Sequence, residues 1–213
     1  MEFCGRGGKR LRPRLCKAAF ELASGGRIQS AGIDSLCEAV ECFHKASLIH
    51  DDIQDCSEER YGRPTVWKEH GVALAIAAGD WLVAHGYGLI AESGFGNAAA
   101  MRGETVRSHI ALCEGQGDDL CGTAASRSRE EYLSVCERKT GEPFALAAAL
   151  GALAAGVDPA PYRRYGLDFG ILFQVRDDMA DDEAPDGAEE LADGLVRRLS
   201  ESPVAGRLGA WYA

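Results

Sequence analysis

The chain has 213 residues, 46% of them apolar and 26% charged, with a net charge of −10. Such a length suits one domain with a sizeable core, and such a balance excludes a disordered or fibrous chain. The acidic total argues against a nucleic-acid binder, whose surface must be basic to hold phosphates. The longest nearly apolar run, residues 144–157, is shorter than the about 20 residues of a bilayer-crossing helix. No basic-then-apolar signal pattern opens the chain, so no integral membrane segment is expected. Eight cysteines occur without a C-x-x-C pair or zinc-finger spacing. They read as buried, reduced thiols of a cytoplasmic protein.

In chain order the pattern is helical. Residues 10–22 read as a helix ended by Ser24-Gly25-Gly26. Asp34 reads as the N-cap of a helix running to Asp55, with Leu36, Val40, Phe43, Ser47 and Leu48 on one face. Gly62-Arg63-Pro64 breaks the chain before an Ala-rich apolar helix over residues 72–90. Gly94, Gly96 and Asn97 mark a loop, and a helix follows from Ala98 to Cys113, extendable through Gly115-Gln116. Ser128 and Glu131 form a capping box. The helix behind them runs toward Leu153 and carries Gly141 and Pro143, a pair that kinks or ends helices. Asp158-Pro159 opens another helix, through Phe173-Gln174 to Asp182, and residues 191–212 read as a final helix and its tail. Strand-type alternation is missing. The expected fold is all-α: a single helical bundle over residues 1–213.

Charge is segregated. Residues 6–17 hold six cations and no acid, whereas residues 177–190 hold eight acids and no base. Asp51-Asp52-Ile53-Gln54-Asp55 and Asp177-Asp178-Met179-Ala180-Asp181 are both D-D-x-x-D. On a helix, positions i and i+4 share a face, so each motif aims two carboxylates in one direction at a cost of about 0.2–0.5 kcal/mol. Each motif also ends an apolar run, which suits the rim of an apolar cavity better than a solvated face. Hard oxygen ligands in this number suit Mg²⁺, which bridges carboxylates to substrate phosphates. The cations would then hold the polyanion itself.

Here the sequence resembles a family. Gly7-Gly8-Lys9-Arg10-Leu11-Arg12-Pro13 is similar to the G-G-K-R-x-R-P signature of the trans-isoprenyl diphosphate synthases (polyprenyl synthetases). Residues 44–66 resemble their first aspartate-rich region. Gly79-Asp80, Gly115-Gln116-Gly117-Asp118-Asp119-Leu120, Lys139-Thr140-Gly141 and Phe173-Gln174-Val175-Arg176-Asp177-Asp178 follow in the family's order. The resemblance implies an isoprenoid-synthase bundle around a central apolar cavity, with three Mg²⁺ ions held on an allylic diphosphate. It also implies condensation of that diphosphate with isopentenyl diphosphate. Position by position, Asp51, Asp55 and Asp177 would be direct metal ligands, with Asp52, Asp178 and Asp181 completing the metal-binding set in supporting roles. Lys139 and Arg60 would contact the allylic diphosphate, and Lys9, Arg12 and His44 would hold isopentenyl diphosphate. Thr140 and Gln174 would line the path of the carbocation. A homodimer is implied as well.

From residue type alone, His44 also reads as a satisfied core histidine, Arg10 and Arg14 as solvated cations, and Gln116 with Asp119 as a helix–helix polar contact. The sequence departs from the family in three places. Tyr61 stands where the second of two arginines is usual, a residue that grips isopentenyl diphosphate. No lysine-bearing loop follows the second motif, and no helix precedes Gly7, so the sequence is short at both ends relative to the family. A class I terpene cyclase or other lyase on the same scaffold therefore stays open as the alternative to a transferase, and a regulatory subunit stands behind both. Small Ala46 and Ser47, five and four residues before Asp51, either admit a product of C20 or longer or let helices pack closely.

Overall fold

The computed structural model describes residues 8–27, 30–121 and 128–208. Gly7, Arg6, Cys4 and the end of the last expected helix lie outside them. Ten α-helices run in chain order among the described residues: α1 (Leu11–Ala23), α2 (Gly32–Gln54), α3 (Val66–His70), α4 (Val72–Ala91), α5 (Ala98–Cys121), α6 (Arg129–Val135), α7 (Glu142–Ala154), α8 (Ala160–Ala180), α9 (Ala188–Glu201) and α10 (Ala205–Leu208). The all-α expectation holds. The one sheet is a hairpin of two-residue strands, β1 (Glu59–Arg60) and β2 (Arg63–Pro64), turned at Tyr61 and Gly62. Both turn residues have positive φ, 54° and 71°, as a two-residue I′ turn requires.

Helix α7 is the hub. Twelve of its thirteen residues, every one but Pro143, are buried between α1, α8, α5 and α2. An Ala-rich sequence suits that position because small side chains let several helices approach at once. Gly151, for example, sits so close to α1 that a Cβ would lie 2.2 Å from the Cys16 carbonyl. On α8, Gly166 and Gly170 do the same against Phe144 and Gly141. The π-helical turn Cys136–Gly141 joins α6 to α7. The sequence signals a kink there, and the structure resolves it as a widened turn that re-aims two side chains. Pro143 directly follows that widened turn, at the second position of α7.

Four expectations are corrected. Helix α2 starts at Gly32, so Asp34 lies in its first turn rather than at the N-cap, which is Ala31. The last helix breaks at Ser202-Pro203 into α9 and α10. The thiols are not uniformly buried: Cys56, Cys113 and Cys121 are exposed, and none of the seven described cysteines is in a disulfide. Nor is the run over residues 144–157 the longest apolar stretch. Val72–Ala91 is long and apolar enough, by length and composition, to cross a bilayer, and 28% of that window is buried. It lies along α2 through Ala75, Gly79, Leu82, Gly86 and Ile90. Gly79, in the Gly79-Asp80 pair, is a packing residue, since a Cβ there would meet the His50 ring at 2.2 Å.

Candidate active site

A cavity of about 530 Å³ opens between α1, α2, α7, α8 and the hairpin, within the size range of small-molecule sites. Its lining holds nine of the predicted site residues: Lys9, Arg12, His44, Asp51, Arg60, Lys139, Thr140, Gln174 and Asp177. The cavity combines an apolar part with the charged residues that the motifs supply. Leu11, Leu48, Leu112, Pro143 and Phe173 alternate with charged residues. A much smaller hole continues inward past Ser47, Phe43, His109 and Leu146.

The two aspartate motifs occupy equivalent positions. Helix α2 ends at Gln54 with Asp55 as its C-cap, and α8 ends at Ala180 with Asp181 as its C-cap. Both sets of carboxylates therefore stand in the last turn of a helix, where the backbone carbonyls already concentrate negative charge. Burial and neighbouring carboxylates push the Asp51 carboxyl above its ordinary range, against the pull of Lys139 and Arg60. Burial, with Asp181 and Asp178, does the same to Asp177. Such stacked anions fit hard divalent cations, which would relieve that cost. Among the described residues no three His, Cys, Asp or Glu side chains converge as a ready cage.

The middle aspartates are engaged by the protein. Asp52 is 1% exposed and accepts from Arg60 Nε at 2.8 Å. Asp178 accepts from the Tyr132 hydroxyl at 2.5 Å and from Gln174 Nε2 at 2.6 Å. Gln174 Oε1 in turn accepts from the Thr140 hydroxyl at 2.8 Å. This chain fixes the cavity face of the π-helical turn to α8. Lys139, beside Thr140, donates to Asp119 at 2.7 Å. Burial opposes its charge, but Asp119, Asp51 and Asp55 outweigh burial and hold the ammonium above its ordinary value. Gly115 makes this pairing reachable, because a Cβ there would press 2.9 Å from the Lys139 nitrogen. Gln116 is the helix–helix contact that residue type allowed, donating to Gln54 at 2.9 Å.

Also in the lining, Arg12 Nη1 donates to His44 Nε2 at 3.3 Å and stacks over the Phe144 ring at 4.2 Å. Burial, then Arg12, Lys45 and Arg60, pull the His44 pKa down to about 2, so the ring is neutral and accepts. Burial lowers the Arg12 pKa to about 10, with Glu41 opposing. The guanidinium stays charged at neutral pH. Glu41, Lys45 and Tyr132 belong to the site but were not read from the sequence. The available signal was a Glu41/Lys45 pair one helical turn apart on an otherwise apolar stripe.

The family model for polyprenyl synthetase matches residues 1–188. The chain belongs to the polyprenyl synthetase family. The geranylgeranyl diphosphate synthase of Sulfolobus acidocaldarius is 35% identical over 188 residues, 81% of this chain and 54% of that protein. This polyprenyl synthetase thus spans about half the length of the curated relatives it matches. Its fold is similar to the geranylgeranyl pyrophosphate synthetase of Geoglobus acetivorans, with a TM-score of 0.86 at 26% identity, covering 97% of this chain and 86% of that one. The polyprenyl synthase of Caulobacter crescentus, solved with calcium and isoprenyl diphosphate, gives 0.75 at 35% identity, covering 81% and 52%.

Proposed function

We propose that this chain carries out prenyl transfer, extending an allylic diphosphate with isopentenyl diphosphate to a product of C20 or longer. One observation carries the reading. A single cavity is lined by one aspartate of each motif, Asp51 and Asp177, by Arg60 and Lys139, and by a further basic set, Lys9, Arg12 and neutral His44. A cyclase ionises one diphosphate and needs the first set alone. The second set is what a second diphosphate requires, since cations must grip it where no metal does. The names of the similar synthases point the same way, which removes the reason to favour the lyase.

In this reading Asp51 and Asp55 from α2, with Asp177 and Asp181 from α8, hold Mg²⁺, three ions in all. Asp52 and Asp178 act on Arg60, Tyr132 and Gln174 to set the rim. Bound Mg²⁺ supplies charge neutralisation at the departing diphosphate. Lys139 and Arg60 flank that diphosphate, and the Thr140 and Gln174 oxygens face the developing allylic cation. Arg12 and Lys9 orient isopentenyl diphosphate so that its double bond attacks, and the released diphosphate accepts the proton. The decisive assay offers geranyl, farnesyl or geranylgeranyl diphosphate with Mg²⁺, with and without isopentenyl diphosphate. A longer diphosphate formed only with isopentenyl diphosphate is expected. A hydrocarbon or alcohol formed without it would overturn the reading.

The proposal includes a homodimer. Helices α4 and α5 expose Leu74, Trp81, Val106 and Ile110, each about half accessible, an apolar load that marks an interaction surface. Sedimentation at micromolar protein is expected to give a dimer, and Trp81→Glu a monomer. A monomeric unmodified protein would count against it. The described thiols, in no disulfide and partly exposed, fit a reducing compartment such as the cytoplasm.

A further inference from the structure

The capping box of α6 fixes a short helix beside the cavity. Ser128 accepts from the Glu131 N–H at 3.2 Å, and Glu131 Oε2 accepts from the Ser128 N–H at 2.7 Å. A helix of seven residues is marginal without such support. The residue directly after the box is Tyr132, half-buried against the cluster that contains Phe144, Leu172 and Val175. Its hydroxyl crosses to α8 and donates to Asp178 Oδ2 at 2.5 Å.

Donor chemistry fixes the remaining orientations. A carboxylate only accepts, so Asp178 Oδ1 takes an amide N–H from Gln174 Nε2 at 2.6 Å. That leaves Gln174 Oε1 turned to Thr140, whose single hydroxyl proton it receives at 2.8 Å. Thr140 and Gln174 line the cavity, whereas Tyr132 and Asp178 stand outside the lining. With the Thr140 proton spent and the amide nitrogen drawn to Asp178, the pair offers the cavity oxygen lone pairs. That polarity suits an electron-poor carbon and opposes an anion.

We propose that Tyr132 is a positioning residue for prenyl transfer: by holding Asp178 it sets the direction of the Gln174 amide, and so the acceptor polarity of Thr140 and Gln174 toward the allylic cation. Helix α6 is then a strut, locked by its capping box, that delivers one hydroxyl to α8. The role rests on the transferase reading and deepens it, since that reading puts the cation beside Thr140 and Gln174. It also divides the second motif by task. Asp177 lines the cavity, and Asp178 orients an amide.

The test is steady-state kinetics of the full chain with geranyl diphosphate, isopentenyl diphosphate and Mg²⁺. Tyr132→Phe removes one hydroxyl and keeps the ring, and is expected to lower kcat about ten- to a hundredfold, the scale of one hydrogen bond to a charged group. Both KM values and the half-saturating Mg²⁺ should stay within about twofold, because the groups that grip the diphosphates are untouched. Placed in a Gln174→Leu background, the same change should cost less than about threefold, since the residue it acts through is gone. An equal loss in both backgrounds, as a packing role alone would give, would overturn the inference, and so would wild-type kcat for Tyr132→Phe. Asp178→Asn is an independent check should Tyr132→Phe not fold. With its oxygen on Tyr132, the new side chain turns N–H toward Gln174 and reverses that amide, so kcat should fall at least about tenfold at unchanged Mg²⁺ demand. Wild-type kcat there, or a Mg²⁺ requirement raised about tenfold, would place Asp178 elsewhere in the reaction and overturn the inference. Release of diphosphate from geranyl diphosphate by an unmodified protein that never lengthens it would bring down the transferase reading alone. The Tyr132→Phe comparison, read on diphosphate release, then decides the role of Tyr132. An unmodified protein without either activity would bring down both.

Discussion

Asp51→Ala and Asp177→Ala should each lower turnover about a thousandfold, a loss of about 4 kcal/mol in transition-state stabilisation. Neither should lower the melting temperature of the metal-free protein. Both carboxyls sit above their ordinary pKa, chiefly through burial and then through adjacent aspartates. A carboxyl raised in the folded state binds its proton more tightly there than in the unfolded chain. Stability therefore falls as pH rises from the unfolded pKa through the folded one, and at neutral pH the folded protein carries that cost in full. Removing either group removes the cost. Activity measurements with and without EDTA, alongside thermal melts, check both halves. Full activity in EDTA, or unfolding of the alanine variants, would break the assignment of these residues as metal ligands rather than structural anions.

Asp52→Ala should behave differently although it is adjacent in sequence. Its carboxylate holds Arg60 at 2.8 Å inside the protein, so its loss frees a cation at the cavity mouth. This contrast shows what was legible in the sequence and what was not. The D-D-x-x-D repeats, the helices that carry them and the basic segment that runs into α1 follow from local spacing, and the structure brings one aspartate of each repeat, with Lys9 and Arg12, to one cavity. Which aspartate faces the cavity and which faces a protein donor depends on Arg60 from the hairpin and Tyr132 from α6. Those partners are 8 and 46 residues away, beyond any periodicity. The widened turn at Cys136–Gly141 was visible only as a Gly-Pro irregularity. Its consequence, Lys139 and Thr140 aimed into the cavity, needed α5 and α8 packed against it.

Ser47→Phe should shorten the product, from C20 or longer to C15 or less, and Ala46→Phe should not. The two small residues read alike in the sequence, as either a product floor or a packing allowance, and the structure divides them. Ser47 lines both the main cavity and the small hole that continues it. Ala46 is turned away, 1% exposed, within the cluster that contains Val66, Ala75 and Leu82. A phenylalanine at 47 would project a ring into the path of the growing tail. At 46 it would wedge α2 from α4, overpacking at about 1–3 kcal/mol and lowering the melting temperature without a defined change in product. A tail running along α2 would next meet the Phe43 ring, one turn deeper, which packs edge-on against His109 at 4.5 Å and Tyr87 at 5.5 Å, and Tyr87 and His109 are themselves joined by a hydrogen bond of 3.1 Å. Gly86 allows that stack to form, because a Cβ there would lie 2.4 Å from the Phe43 ring. Mass spectrometry of dephosphorylated products distinguishes the outcomes. A shortened series from Ser47→Phe places the tail along α2 toward Phe43. An unchanged series would put the growing chain elsewhere, along Leu112 and Phe173 on the far side of the cavity.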